Sequence, residues 1–393
     1  MHLPYPLFLD TAGNLPHAAS SPHSIIGADP EEIITGSIFD PGDLAALDEG
    51  LKREQISAPD CGLPLGGWFG TIDYEGEFWF GNYRNLLIYS HESAQWMEVG
   101  GDVLSQQRRQ KSVIPLPELG SWSSNFTREQ FEQRVLRAQD YIAAGDIYQV
   151  NLAQRFQTTV SGDSILPFYD RLRSVSPAPM AAYLKTGERE LLSSSPELFL
   201  RLSGNRIQTR PIKGTRPRFK NPDDDLRASH ELQMSEKEQS ELLMITDLLR
   251  NDLGRICELG SVGVEALAQL ETLAQVHHLA STISGTLRNE ITHPQAVASC
   301  SPGGSITGAP KKRAREIITE LEGLARGLYT GSIGYFGYNG ESQFSIVIRT
   351  LIREGNLLHY HVGAGIVADS LPGKEYDETL HKAEGLRLAL EPR

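Results

Sequence analysis

Cysteine is scarce in this chain: Cys61, Cys257 and Cys300 are the three among 393 residues, an odd number without Cys-x-x-Cys spacing. That leaves no disulfide framework and reads as reduced thiols in a cytoplasmic protein. Long apolar runs are missing too. Nothing approaches the roughly 18 consecutive apolar residues that span a bilayer. The start, Met1-His2-Leu3-Pro4-Tyr5-Pro6, lacks the basic segment and apolar stretch of a signal peptide. A soluble protein with no membrane association is the expectation. Positive charge is also in short supply, with 37 Lys and Arg against 50 Asp and Glu, a formal net charge of −13. Nucleic acid and anionic membranes would be repelled by such a surface. A small anionic substrate could bind only where local cations or a metal reverse the field. Internal repeats and low-complexity tracts are absent.

What is present is a chain long enough for a large core, as one oversized domain or two smaller ones. Residues 1–120 read as a β-rich N-terminal subdomain. Trp68 to Tyr74, Phe78 to Phe80 and Leu86 to Tyr89 predict an antiparallel meander. Gln106 to Leu119 is polar, carries Pro115 and Pro117, and reads as a linker or edge loop. Thr127 and Gln130 form a capping-box pair ahead of the stripe Phe131, Val135, Ala138 and Ile142, which Gly145 ends. Ile147 to Ala153 and Met180 to Leu184 are strand-like. Leu198 to Leu202 and Arg206 to Arg210 flank Gly204-Asn205 as a hairpin. Helices are predicted over Ser235 to Arg250, Pro310 to Leu324 and Tyr376 to Leu390, and strands over Ser332 to Phe336, Phe344 to Ile352 and Leu357 to Val362. Strands arrive in hairpins rather than in βαβ alternation, which favours an α+β fold over a parallel sheet.

Several constellations could carry chemistry. Glu238 and Glu241, then Glu375 and Glu378, are Glu-x-x-Glu pairs, each presenting two carboxylates on one helical face. Solvated acidic faces are the common reason for such pairs, but a cation between the helices would turn repulsion into binding. Mg²⁺ suits one or two carboxylates plus waters and an anionic substrate group. Gly303-Gly304-Ser305-Ile306-Thr307-Gly308-Ala309-Pro310 runs into a helix, as a tight turn or as a cradle for a carboxylate or phosphate. It is not a Walker A loop. Folding the hairpin about Gly204-Asn205 sets Glu197 close to Lys213, either a surface ion pair or a nucleophilic amine with its acid/base partner. His277 and His278 are adjacent on a strand and should face opposite ways, so they cannot chelate one metal together. Tyr329, Arg349 and Lys382 are polar residues on otherwise apolar elements.

Together these segments resemble the chorismate-utilising enzymes, a family that includes anthranilate, isochorismate and salicylate synthases. The resemblance rests on Ser195-Pro196-Glu197-Leu198, on Pro211-Ile212-Lys213-Gly214-Thr215 and on Leu243 through Leu253. The Gly303–Lys311 loop and Gly363 through Ser370 complete it. These five blocks stand in family order within a catalytic region of about residues 125–388. The fold this implies is antiparallel β-sheets packed as a sandwich with helices outside. Glu241 and Glu378 would hold Mg²⁺ on the ring carboxylate of chorismate, supported by Glu238 and Glu375. Tyr329, Arg349, Lys382, Ser305 and the N–H groups around Gly363 and Gly365 would bind substrate, and His278 would sit near the ring.

Relatives making anthranilate or isochorismate would carry Ala at 213, and those adding water at C2 a lysine at 149, where this chain has Lys213 and Gln149. The resemblance therefore implies amination of chorismate at C4 with ammonia. Lys213 would attack C2, with Glu197 as proton donor and then acceptor, giving 4-amino-4-deoxychorismate, a precursor of 4-aminobenzoate and folate. Glu197 should be protonated when it acts. None of the three cysteines lies in a Gly-x-Cys-x-Gly elbow, so ammonia is expected from a separate glutamine amidotransferase subunit. The alternatives are an anthranilate synthase component I and a catalytically inactive chorismate-binding relative.

Overall fold

The computed structural model describes residues 4–11, 23–57, 61–101, 114–272 and 276–391. Among them are two antiparallel sheets. The first runs β17 (Gly308–Ala309), β9 (Gln149–Thr159), β21 (Leu357–Ile366), β20 (Thr350–Glu354), β11 (Arg189–Ser195), β10 (Met180–Thr186), β1 (Leu7–Asp10), β2 (His23–Gly27), β6 (Leu86–Ser90) and β7 (Gln95–Val99). A short β8 (Ser123–Ser124) pairs with β9. The second runs β14 (Ile212–Pro217), β16 (Val276–Thr286), β13 (Arg206–Arg210), β12 (Leu198–Ser203), β19 (Glu341–Ile346), β18 (Ser332–Gly337), β4 (Gly67–Ile72), β5 (Glu77–Tyr83) and β3 (Ile33–Ser37), with β15 (Gly263–Thr272) also on β16.

The sheets pack face to face. Leu7, Ile25, Leu86, Leu184, Leu191 and Ile352 of the first meet Phe69, Tyr83, Ile333 and Tyr335 of the second in one buried cluster. Helices cover the outer faces. Over the first sheet lie α2 (Arg128–Ala143), α3 (Pro167–Val175), α7 (Lys311–Glu322) and α8 (Pro372–Leu390). Over the second lie α1 (Pro41–Arg53), α5 (Glu236–Gly254) and α6 (His293–Cys300), with α4 (Pro222–Gln233) beside β14. This is the expected α+β sandwich. No described helix is long and apolar enough to cross a membrane.

The local predictions hold where the signal is local. Thr127 and Gln130 do form the reciprocal cap of α2, worth about 1 kcal/mol. The stripe Phe131, Val135 and Ala138 is buried, and Gly145 follows with φ +81°. The 198–210 hairpin is present, with Leu198 opposite Arg210.

Other expectations need correction. The predicted meander is split: β4 and β5 pair in the second sheet, whereas β6 joins β2 and β7 in the first. Phe344 to Ile352 is two strands, β19 and β20, in different sheets, broken at Arg349, whose φ is +50°. Alternation records which face a residue shows, not which sheet its strand joins, so both crossings look like continuous β structure. The strand starting near Ile147 extends to Thr159, and the last helix begins at Pro372, which suits the first turn, rather than at Tyr376. Most of the expected linker, residues 102–113, lies outside the described residues. Strands from residues 1–120 share both sheets with later ones, β1 against β10 and β4 against β18.

Candidate active site

The chain passes from the first sheet to the second at Pro196-Glu197, between β11 and β12, and back again at Val347–Arg349, between β19 and β20. The two crossings are bonded, the Ile346 N–H donating to the Glu197 carbonyl at 3.1 Å. They bring Glu197 and Arg349 together. Burial pushes the Glu197 carboxyl up to about 7, against a hydrogen bond from Ser305 and the charges of Lys213, Arg349 and Lys382. Burial likewise pulls the Arg349 guanidinium below its ordinary value, opposed by Glu197. Glu197 is thus a carboxylic acid that can hold its proton near neutrality.

Lys213 comes from β14, the edge strand of the second sheet. A bulge there pairs Lys213 with Leu279 and Thr215 with His278, leaving Gly214 as the extra residue. Only glycine fits: φ is +69°, and a Cβ would lie 2.6 Å from Leu232 and 3.2 Å from Glu238 Oε2. His278 is buried against the bulge, its Nδ1 3.0 Å from Thr215 Oγ1 and 3.1 Å from the Gly214 carbonyl. His277 faces the other way, with Nε2 3.1 Å from Asp225. Lys213 Nζ donates to Glu241 Oε2 at 3.4 Å. Its direct partner is therefore Glu241 on α5, and Glu197 acts on it only through charge; the hairpin alone could not reveal the helix packed over it.

Across the interface the Lys213 amine meets β21. A Cβ at Gly365 would sit 3.3 Å from Lys213 Nζ and 2.5 Å from Gln149 Nε2. The β20–β21 ladder ends at Ile352–His359, so beyond His359 the strand β21 is paired only on the β9 side. Gly363 and Gly365 lie on that stretch. Lys382 donates to the Gly363 carbonyl at 2.9 Å, and a Cβ at Gly363 would meet Tyr329 Oη at 2.9 Å. Burial raises the Tyr329 hydroxyl to about 12, so it stays a donor. Gly365→Ala should cost about tenfold or more in kcat/KM through displacement of Gln149 and Lys213, with near-native far-UV circular dichroism. Wild-type kinetics would show that the strand can yield.

The glycines of residues 303–308 serve close packing. A Cβ on Gly303 would lie 2.9 Å from Ile346, and one on Gly304 2.8 Å from Leu248. Of this loop, Ser305 reaches Glu197, while Lys311 is committed to Asp252 and the Cys300 carbonyl. Sequence reasoning missed a buried brace beneath the site. Arg326 pairs with Glu322 and donates to the Ile306 carbonyl at 3.0 Å and the Asn151 carbonyl at 2.8 Å. Arg326 lies beyond Gly323, where α7 has ended, so no helical spacing announced the pair.

The two Glu-x-x-Glu pairs do face each other. Burial and then Glu241 raise Glu238, with Glu378 adding to the effect; burial also raises Glu375. Burial would raise Glu378 too, but Lys382, 2.7 Å away, together with Lys213 and Lys237 leaves the carboxyl below its ordinary value. Among the described residues no three carboxylates come together as a ready-made metal site. The donor chemistry still fits Mg²⁺, which needs only one or two of these hard oxygens alongside water and substrate. A cleft between the sheets lined by Asp10, His23, Met180 and Tyr335 contains none of the predicted site residues.

A buried acid, an enclosed lysine, and Arg349, Lys382 and Tyr329 are thus brought together where the two sheets meet. The chain belongs to the chorismate binding enzyme family, which matches residues 22–387. It is 40% identical to aminodeoxychorismate synthase component 1 of Escherichia coli over 343 residues, 87% of this chain and 73% of that one. It is 46% identical to an anthranilate synthase component 1 of Haloarcula marismortui over 266 residues, 68% of this chain; the match spans only 54% of that protein's length. The crystal structure of anthranilate synthase component I from Streptococcus pneumoniae superposes with a TM-score of 0.79 at 28% identity, covering 95% of this chain and 93% of that one.

Proposed function

We propose that this chain aminates chorismate at C4 with ammonia, giving 4-amino-4-deoxychorismate and water. The observation that carries the reading is an enclosed primary amine, Lys213, under the charge influence of Glu197, an acid whose carboxyl is raised to about 7. Arg349, Lys382, Tyr329 and the open edge of β21 receive the substrate carboxylates. Glu241 and Glu378, supported by Glu238 and Glu375, would hold Mg²⁺, which when bound neutralises a substrate carboxylate. Once Lys213 has lost its proton its amine forms a bond to C2, the ring double bonds shift, and the C4 hydroxyl leaves as water with a proton from Glu197. Ammonia then adds at C4 and yields a proton to Glu197, the double bonds return, and the C2–N bond to Lys213 breaks. His278, held against the Gly214 bulge, would sit near the reacting ring.

Incubating the purified chain with chorismate, MgCl₂ and an ammonium salt tests this, with the product identified by mass and chromatography. The expected product is 4-amino-4-deoxychorismate from ammonium and none from glutamine, since a separate glutamine amidotransferase would supply ammonia. Glutamine-dependent amination by the chain alone would overturn the two-subunit arrangement. Anthranilate as sole product would favour the second reading, which the Haloarcula relative supports.

A further inference from the structure

Each of the four glutamates already has a cation near it. Glu238 has Arg216 at 3.7 Å, Glu241 has Lys213 at 3.4 Å, and Glu378 has Lys382 at 2.7 Å. Lys237 differs from the other three in standing within ion-pair distance of two carboxylates on two helices. Its Nζ is 3.9 Å from Glu241 on α5 and 3.9 Å from Glu375 on α8. The acceptors are little exposed, at 12% and 5% of the side chain, whereas Lys237 is 46% exposed. A long side chain rooted at the rim can swing into solvent without disturbing the core.

We propose that Lys237 is a built-in counter-ion: it ties α5 to α8 through Glu241 and Glu375 when no divalent cation is bound, and a divalent cation must displace it. This rests on the reading that these glutamates hold Mg²⁺. Lys237 is thus a positioning residue. It keeps two carboxylate-bearing helices at working distance in the empty site and lowers metal affinity until substrate adds its own oxygen ligands. Without it, repulsion among Glu238, Glu241, Glu375 and Glu378 would be less opposed in the empty protein.

The test uses the full chain and Mn²⁺, with free ion followed by its electron paramagnetic resonance signal. Lys237→Gln should bind Mn²⁺ about three- to tenfold more tightly than wild type, the size of two partly exposed ion pairs removed from competition. The same variant should melt at a lower temperature than wild type without metal and at the same temperature with saturating Mn²⁺. Lys237→Arg should keep wild-type affinity. Lys374→Gln, which removes a charge elsewhere on α8, should shift affinity less. Equal Mn²⁺ binding by wild type and Lys237→Gln, or equal tightening in Lys374→Gln, overturns the proposal and leaves the metal reading standing. A wild-type chain that takes up no Mn²⁺ removes the metal reading itself.

Discussion

Lys213→Ala is expected to lower C4 amination at least about a thousandfold, because under the proposed mechanism it removes the amine that forms the adduct at C2. Arg349, Lys382, Tyr329 and the β21 backbone come from other segments, so chorismate should still bind within a few-fold of wild type. Wild-type protein given chorismate and Mg²⁺ but no ammonia should accumulate an adduct visible by intact mass and mapped to the peptide holding Lys213. Loss of activity alone would not separate a nucleophile from a binding lysine; the mapped adduct does. Wild-type amination by Lys213→Ala would sink the covalent mechanism.

Glu197→Gln is the second large effect, about a hundred- to ten-thousandfold in kcat, since an amide neither gives nor takes the proton at C4. The same variant carries a stability signature that a bystander would not. A folded carboxyl near 7 against an ordinary value of 4.5 means that the native state holds more protons than the unfolded chain between those values. Stability therefore falls as pH rises through that window, by roughly 3 kcal/mol, and is level above it. The amide of the Glu197→Gln variant has nothing to titrate, so denaturant unfolding of wild type and variant should diverge between pH 4.5 and about pH 7, the variant losing less. Parallel pH profiles would show that Glu197 is not held as a raised acid.

What could be read from the sequence was what neighbours in the chain decide. The Thr127–Gln130 cap, the 198–210 hairpin and the opposed rings of His277 and His278 depend on residues a few positions apart. The Glu-x-x-Glu pairs declared their helices but not the distance between them, which is set by packing α5 over β16 and α8 over β21. For the same reason Glu241 as partner of Lys213, and Arg216 and Lys237 as counter-charges, stayed hidden. Sheet membership was the deepest blind spot. Leu86 to Tyr89 and the residues either side of Arg349 have ordinary strand composition, and only the finished sandwich decides which layer each joins.

The order of strands also bears on how the chain is made. Leu7 pairs with Leu184, and Trp68 pairs with Phe336. A ribosome delivers the first member of each pair long before the second. Until β10 emerges, β1 has one open edge; until β18 emerges, β4 has one, and the faces of Trp68, Phe69 and Phe80 lack most of their eventual cover. Pairings so distant in sequence close slowly, and an open strand edge beside aromatic surface invites pairing with the wrong chain. Slower translation, which lengthens the exposure of these edges, should therefore lower the soluble yield.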